Sequence, residues 1–162
     1  MTIAVGDKVP DGLLVVRDAA GARDVPLQAR LAGRSVVIFG LPGAYTGICS
    51  TAHVPSFIRS MPQFKARGVD EVICLSVNDS FVMKAWGEAT GAATAGITMA
   101  ADSDASLTKA LGLDFVAGFT RGGPRSKRYA MHVVDGVVKV LNVEDSTGAC
   151  TISAGEGLLE SM

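Results

Sequence analysis

The run Ser35-Val-Val-Ile-Phe39 is rich in β-branched and aromatic residues and does not alternate with polar ones. A strand of this kind is covered on both faces, so the chain must supply layers above and below it. The run ends directly in a turn cluster, Gly40-Leu-Pro-Gly43. Beyond it, Val54, Phe57, Ile58, Met61 and Phe64 recur at helical spacing. Pro55 falls inside that helix and is expected to kink it. The same strand-then-helix order recurs downstream. Glu71–Val77 reads as a buried strand, Asn78-Asp-Ser80 as an N-cap and Phe81–Ala89 as a helix. Ile97–Ala101 reads as a short strand before a helix over Leu107–Leu111. Leu13–Val16 is a first strand, and Ser153–Met162 is a last helix. Tyr129–Val134 and Val137–Val143 flank Asp135-Gly136, a pairing that predicts a tight hairpin.

Strands alternating with helices, followed by a hairpin and a terminal helix, give an α/β domain. The expected architecture is a central mixed β-sheet with helices on both faces. Its parallel strands lie in the middle and the antiparallel hairpin at one edge, an arrangement similar to the thioredoxin-like fold. At 162 residues, without a repeat or long linker, residues 1–162 read as a single domain.

Composition excludes several classes of function. Fifteen basic against sixteen acidic residues leave a net charge of −1, without the basic excess of a bulk nucleic-acid binder. No apolar run reaches the ~20 residues of a membrane span, and no secretory signal pattern is read at the N-terminus. Three cysteines are an odd count far below disulfide-scaffold density. They suit a reducing compartment, so a cytoplasmic location is expected, with a mature organellar form left open. Three Cys and two His without Cys-x-x-Cys spacing point to no metal and no thioredoxin-type disulfide exchange. Gly122-Gly123 lacks the Gly-Lys-Ser/Thr ending of a phosphate loop, so no nucleotide or other cofactor is expected.

Chemistry concentrates in Phe39–Ser50. Ligands of α/β sheets bind beyond the carboxyl ends of strands, and Cys49 falls there, in the first turn of a helix. A helix terminus alone contributes roughly 0.3–1 kcal/mol toward an anion. A thiol near its ordinary pKa of about 8.5 needs more than that to be a thiolate at neutral pH. A cation within ~4–6 Å supplies it. The candidates are Arg121, Arg125, Lys127 and Arg128, just before the hairpin. Thr46, three residues before Cys49, shares its helical face and offers a hydroxyl to sulfur or to a bound oxygen. The alternative makes Thr46 an N-cap and Cys49 a small buried residue. His53, four residues after Cys49, admits a cysteine-hydrolase or metal-ligand reading, but it and His132 are taken as structural.

Pro42-Gly-Ala-Tyr-Thr46-x-x-Cys49 resembles the Pro-x-x-x-Thr-x-x-Cys motif of peroxiredoxins. The resemblance extends through Cys49–Pro55, Leu75–Asp79, Lys84-Ala-Trp86, Lys127–Met131, Asp135–Lys139 and Leu141–Glu144, all similar to the type-five or type-II subgroup. It implies a thiol-dependent peroxidase that reduces hydrogen peroxide and alkyl hydroperoxides. Cys49 matches the peroxidatic cysteine, Thr46 the hydroxyl that contacts it, Pro42 the shielding proline and Arg128 the activating guanidinium. Gly47 departs from the family's usual second proline. The resemblance implies a sulfenic acid on Cys49, resolved by Cys74, by Cys150 or by an external thiol, glutathione through glutaredoxin or thioredoxin. The external thiol is the expectation. It also implies a homodimer through loops around the site, with neither nucleic acid nor membrane as partner. The runner-up function is a redox sensor or chaperone that signals through Cys49 oxidation without turnover.

Overall fold

The computed structural model describes all 162 residues. Its main sheet has seven strands in the order β2-β1-β5-β4-β3-β8-β9. These are β1 (Leu13–Asp18), β2 (Gly21–Pro26), β3 (Ser35–Gly40), β4 (Glu71–Ser76), β5 (Thr98–Ala101), β8 (Tyr129–Val134) and β9 (Val137–Val143). β3, β4 and β5 pair in parallel, and β8 joins β3 antiparallel. The sheet is mixed, as expected, but both edges are hairpins rather than one. The second hairpin, β1–β2, pairs Leu13–Asp18 with Gly21–Pro26. β2 leaves no strand signal in the sequence because Gly21–Asp24 carries no apolar alternation. In the Asp135-Gly136 turn both residues have positive φ, 48° and 76°, which lets two central residues close the hairpin.

The non-alternating run in β3 divides its side chains between two cores. Val37 and Phe39 face one side with Phe57 and Phe64 of α2 (Val54–Ala66), Met83 and Trp86 of α3 (Ser80–Thr90), and Leu158 of α5 (Gly155–Ser161). Val36 and Ile38 face the other with Leu27 and Leu31 of α1 (Leu27–Leu31) and Leu107 of α4 (Ser106–Ala110). Helices therefore cover both faces. Each fully buried side chain of this size contributes roughly 1.5–3 kcal/mol.

One detail differs from expectation, and one expectation narrows to a single residue. Pro55 does not kink the interior of a helix. It lies at the start of α2, and the irregularity sits one turn earlier, as a π-helical turn over Cys49–His53. There the Val54 amide donates to the Cys49 carbonyl, five residues back. The interior proline of α2 is Pro62. The N-cap of α3 is Asp79, whose carboxylate accepts from the Val82 amide. Asn78 is left free for another task. Between α4 and β8, a small separate ladder pairs β6 (Asp114–Val116) with β7 (Pro124–Ser126).

Candidate active site

β3 ends at Gly40, where Tyr129 of β8 stands directly opposite in the ladder. The Tyr129 ring fills the space a Cβ would need, so only glycine fits there. Beyond Gly40 the chain turns through Leu41–Thr46, with Leu41, Pro42 and Gly43 buried, and enters the helix that carries Cys49. Tyr45 in this turn has φ 62°, a left-handed conformation that side chains other than glycine disfavour. The thiol of Cys49 is 1% exposed and unbridged.

Arg128, 79 positions away and one residue before β8, reaches Cys49 directly. Its Nη2 donates to Cys49 Sγ at 3.4 Å and to the Thr147 carbonyl at 3.0 Å. Its Nη1 donates to His53 Nδ1 at 3.1 Å. The guanidinium is buried, 2% exposed, and forms no ion pair with any carboxylate. Its Nε has no partner. A buried cation is costly unless an anion or a full set of acceptors faces it. The anion-forming group it hydrogen-bonds directly is the Cys49 thiol, while the Glu144 carboxylate and the Cys150 thiol feel its charge without contact.

His53 has both ring nitrogens engaged. Nε2 faces the Ser153 carbonyl at 2.9 Å, and Nδ1 accepts from Arg128. A neutral ring with its proton on Nε2 satisfies both contacts. Burial, reinforced by the Arg128 charge, pushes the imidazole pKa down to about 3. The ring is thus neutral and turned toward Arg128, and it forms no hydrogen bond with the Cys49 sulfur. That removes the hydrolase reading, which needs the imidazole as a base on that thiol.

Because the folded-state value lies below the ordinary 6.5, His53 contributes stability that is complete above pH 6.5 and is lost as pH falls toward 3. The slope approaches about 1.4 kcal/mol per pH unit at its steepest. His132, also lowered by burial, adds a weaker dependence in the same window. Urea unfolding between pH 6.5 and 4.5 should show the wild-type free energy falling with acid, and His53→Gln should flatten that slope. Equal slopes in the two proteins would contradict the buried neutral ring.

The structure brings Pro42, Thr46, Cys49 and Arg128 to one end of the sheet. One detail departs from expectation. The Thr46 hydroxyl gives its proton to the Gly43 carbonyl at 2.7 Å rather than to sulfur. Toward a ligand it is therefore an acceptor. The other two cysteines are placed differently. Cys74, in β4, is fully buried, and burial pushes its thiol well up. Cys150 is half-buried, and burial raises its thiol as well. It lines a groove of about 460 Å³ with Thr51, Ala52, Arg59 and Glu156. The loop that carries Cys150 is pinned by Glu144, whose carboxylate accepts from the Thr151 and Ser153 amides and the Ser153 hydroxyl.

Residues 4–159 match the redoxin family. The chain is 44% identical, over 99% of its length and 73% of the other's, to Peroxiredoxin-2E-2, chloroplastic, of Oryza sativa subsp. japonica. It is 42% identical to Peroxiredoxin-2B of Arabidopsis thaliana, covering 99% of this chain and 98% of that one. Among solved structures, reduced Prx3 of Vibrio vulnificus in complex with H2O2 superimposes with a TM-score of 0.91 at 46% identity, covering 99% of each chain. Peroxiredoxin 5 of Alvinella pompejana gives a TM-score of 0.84 at 30% identity over 98% of this chain and 97% of that one.

Proposed function

The chain belongs to the redoxin family and, within it, to the peroxiredoxins, and on that premise we propose that Cys49 is the thiol through which this thiol-dependent peroxidase reduces its substrate. The observation that carries the assignment is the buried Arg128 guanidinium, in no direct carboxylate ion pair, 3.4 Å from the sulfur. The Cys49 thiolate attacks one oxygen of a hydroperoxide, and the O–O bond breaks. The sulfur loses two electrons and becomes a sulfenic acid. The other oxygen leaves as hydroxide or alkoxide and takes a proton from solvent. Arg128 and the amides of the first helical turn stabilise charge that grows on the oxygens. The Thr46 hydroxyl, its own proton committed to Gly43, accepts from the peroxide O–H and orients it. Pro42, buried in the turn, keeps water from the sulfur. Hydrogen peroxide and alkyl hydroperoxides are the substrates of this reading.

An external thiol resolves the sulfenic acid. Burial holds both internal candidates, Cys74 and Cys150, toward the protonated and less nucleophilic thiol form. Glutathione with glutaredoxin, or thioredoxin, supplies the reductant. The test couples hydrogen peroxide or tert-butyl hydroperoxide reduction to NADPH oxidation through each reductant system. Turnover with either supports the reading. Oxidation of Cys49 without turnover in both would instead favour the redox-sensor function. One equivalent of peroxide without added thiol should consume a single thiol. Loss of two in a monomeric species would mean an internal disulfide and defeat the external route.

The reading includes a homodimer. Tyr45, Val116 and Phe119 are 59%, 71% and 63% exposed. Phe119 reaches the site turn through Arg125, which lies over its ring and donates to the Pro42 carbonyl. Large apolar side chains grouped beside a site point to a covered surface. Sedimentation at micromolar concentration should give a dimer, and Phe119→Asp should shift it to monomer. A wild-type monomer would remove this part of the reading. A reducing compartment is part of this reading, either the cytoplasm or an organelle, as for the chloroplastic relative. No helix is long and apolar enough to cross a membrane.

A further inference from the structure

The turn between Pro42 and Thr46 decides where the Thr46 hydroxyl points, and two side chains from other parts of the chain grip it. On one flank is Arg125 of β7, whose Nη1 would lie 2.7 Å from a Cβ at Gly43. On the other is Asn78, from the segment linking β4 to α3. Asn78 Oδ1 accepts from the Ala44 amide at 3.0 Å and from the Ser76 hydroxyl at 2.6 Å. Ser76 is the last residue of β4 and is fully buried, so the carboxamide is anchored to the rigid sheet. The Asn78 carbonyl is held in turn by the Ser103 hydroxyl at 3.2 Å. The cap of α3 is supplied by Asp79, which leaves the Asn78 side chain no role in that helix.

We propose that Asn78 is a positioning residue of the peroxidase site: by holding the Ala44 amide it fixes the Pro42–Thr46 turn so that Thr46 meets peroxide as a hydrogen-bond acceptor. This inference rests on the reading of Cys49 and Thr46 given above. The chain of cause is short. Ala44 sits between Gly43, whose carbonyl takes the Thr46 proton, and Tyr45, whose backbone is left-handed. A turn with such a residue persists only where its surroundings over-determine it. With the Ala44 amide released, the turn relaxes and the Gly43 carbonyl moves. The Thr46 hydroxyl then rotates away from the polarity that peroxide needs. Arg128 reaches Cys49 from beside β8, held by His53 and the Thr147 carbonyl, and stays in place.

That separation supplies the test. Oxidation of Cys49 by peroxide depends on both the thiolate and the turn. Alkylation of Cys49 by iodoacetamide depends on the thiolate and not on Thr46. Both second-order rates are followed on the Cys49 peptide by mass spectrometry, in the wild type, Asn78→Ala and Asn78→Asp. A misplacement of about 1 Å at a reacting group costs up to ~100-fold, so Asn78→Ala should slow oxidation by roughly 10- to 100-fold. Its alkylation rate should stay within about twofold, since Arg128 is untouched. Asn78→Asp keeps an acceptor for both donors and should recover most of the oxidation rate. Three outcomes would overturn the inference: wild-type oxidation in Asn78→Ala, a parallel fall in both rates, or Asn78→Asp as slow as Asn78→Ala. A wild-type protein whose Cys49 is alkylated but never oxidised would instead overturn the underlying assignment of the site.

Discussion

Cys49→Ser should reduce peroxide turnover to the uncatalysed background, while Cys74→Ser and Cys150→Ser retain it with an external reductant. A serine hydroxyl in the same place is neither ionised at neutral pH nor able to carry the sulfenic acid, so both halves of the cycle are lost. Cys74 packs in the core beside Val37, Phe39 and Trp86, and its replacement acts on stability rather than on chemistry. The measurement is NADPH oxidation coupled through the reductant, for all three variants at equal folded concentration. Turnover in Cys49→Ser above background would defeat the assignment. Loss of turnover in Cys150→Ser alone would move the resolving step into the chain.

The second large effect is at Arg128. Arg128→Lys should lower kcat/KM for hydrogen peroxide by about 100-fold or more, the scale of removing one preorganised donor from a developing oxyanion. The charge is preserved, but an ammonium is a compact point. It cannot reach Cys49 Sγ, His53 Nδ1 and the Thr147 carbonyl together, as the guanidinium does through Nη1 and Nη2. The same variant should lower the thermal midpoint, because it keeps a buried cation while leaving acceptors such as His53 Nδ1 and the Thr147 carbonyl short of a donor. An Arg128→Lys enzyme within a few-fold of wild type would show that a point charge suffices and that the fork geometry is idle.

The sequence made some parts of this picture legible for physical reasons. Short-range signals came through: the two-faced strand Ser35–Phe39, the Asp135-Gly136 turn, and the placement of Cys49 at a strand–turn–helix junction. Arg128 could be narrowed to a cluster of four basic residues because the chemistry demands a cation, and only the resemblance separated it from Arg125. What stayed hidden depends on contacts between distant positions. Nothing near His53 announces that its ring faces Arg128, 75 positions on, or the Ser153 carbonyl, 100 positions on. Asn78 stands in the Asn78-Asp-Ser80 cap triplet with nothing to single it out, and only the fold turns its carboxamide toward Ala44. The polarity of the Thr46 hydroxyl is invisible in spacing, since Gly43 competes with sulfur for one proton. Pro55 gave the right region of backbone irregularity but the wrong form, because the chain widened one turn upstream instead of bending.

That widened turn works as a phase shifter. A regular helix advances about 100° per residue, so the direction of every side chain is locked to that of its neighbours. The stripe of α2 that faces the sheet, with Phe57 stacked on Phe39 and on Phe64, would by itself dictate where Cys49 points. The extra residue in the π turn breaks that lock. It lets the thiol be aimed at Arg128 while the aromatic stripe keeps its own heading. Deleting one residue from 50–52 would restore a single uninterrupted screw, and the chain would then have to surrender either its packing or its aim.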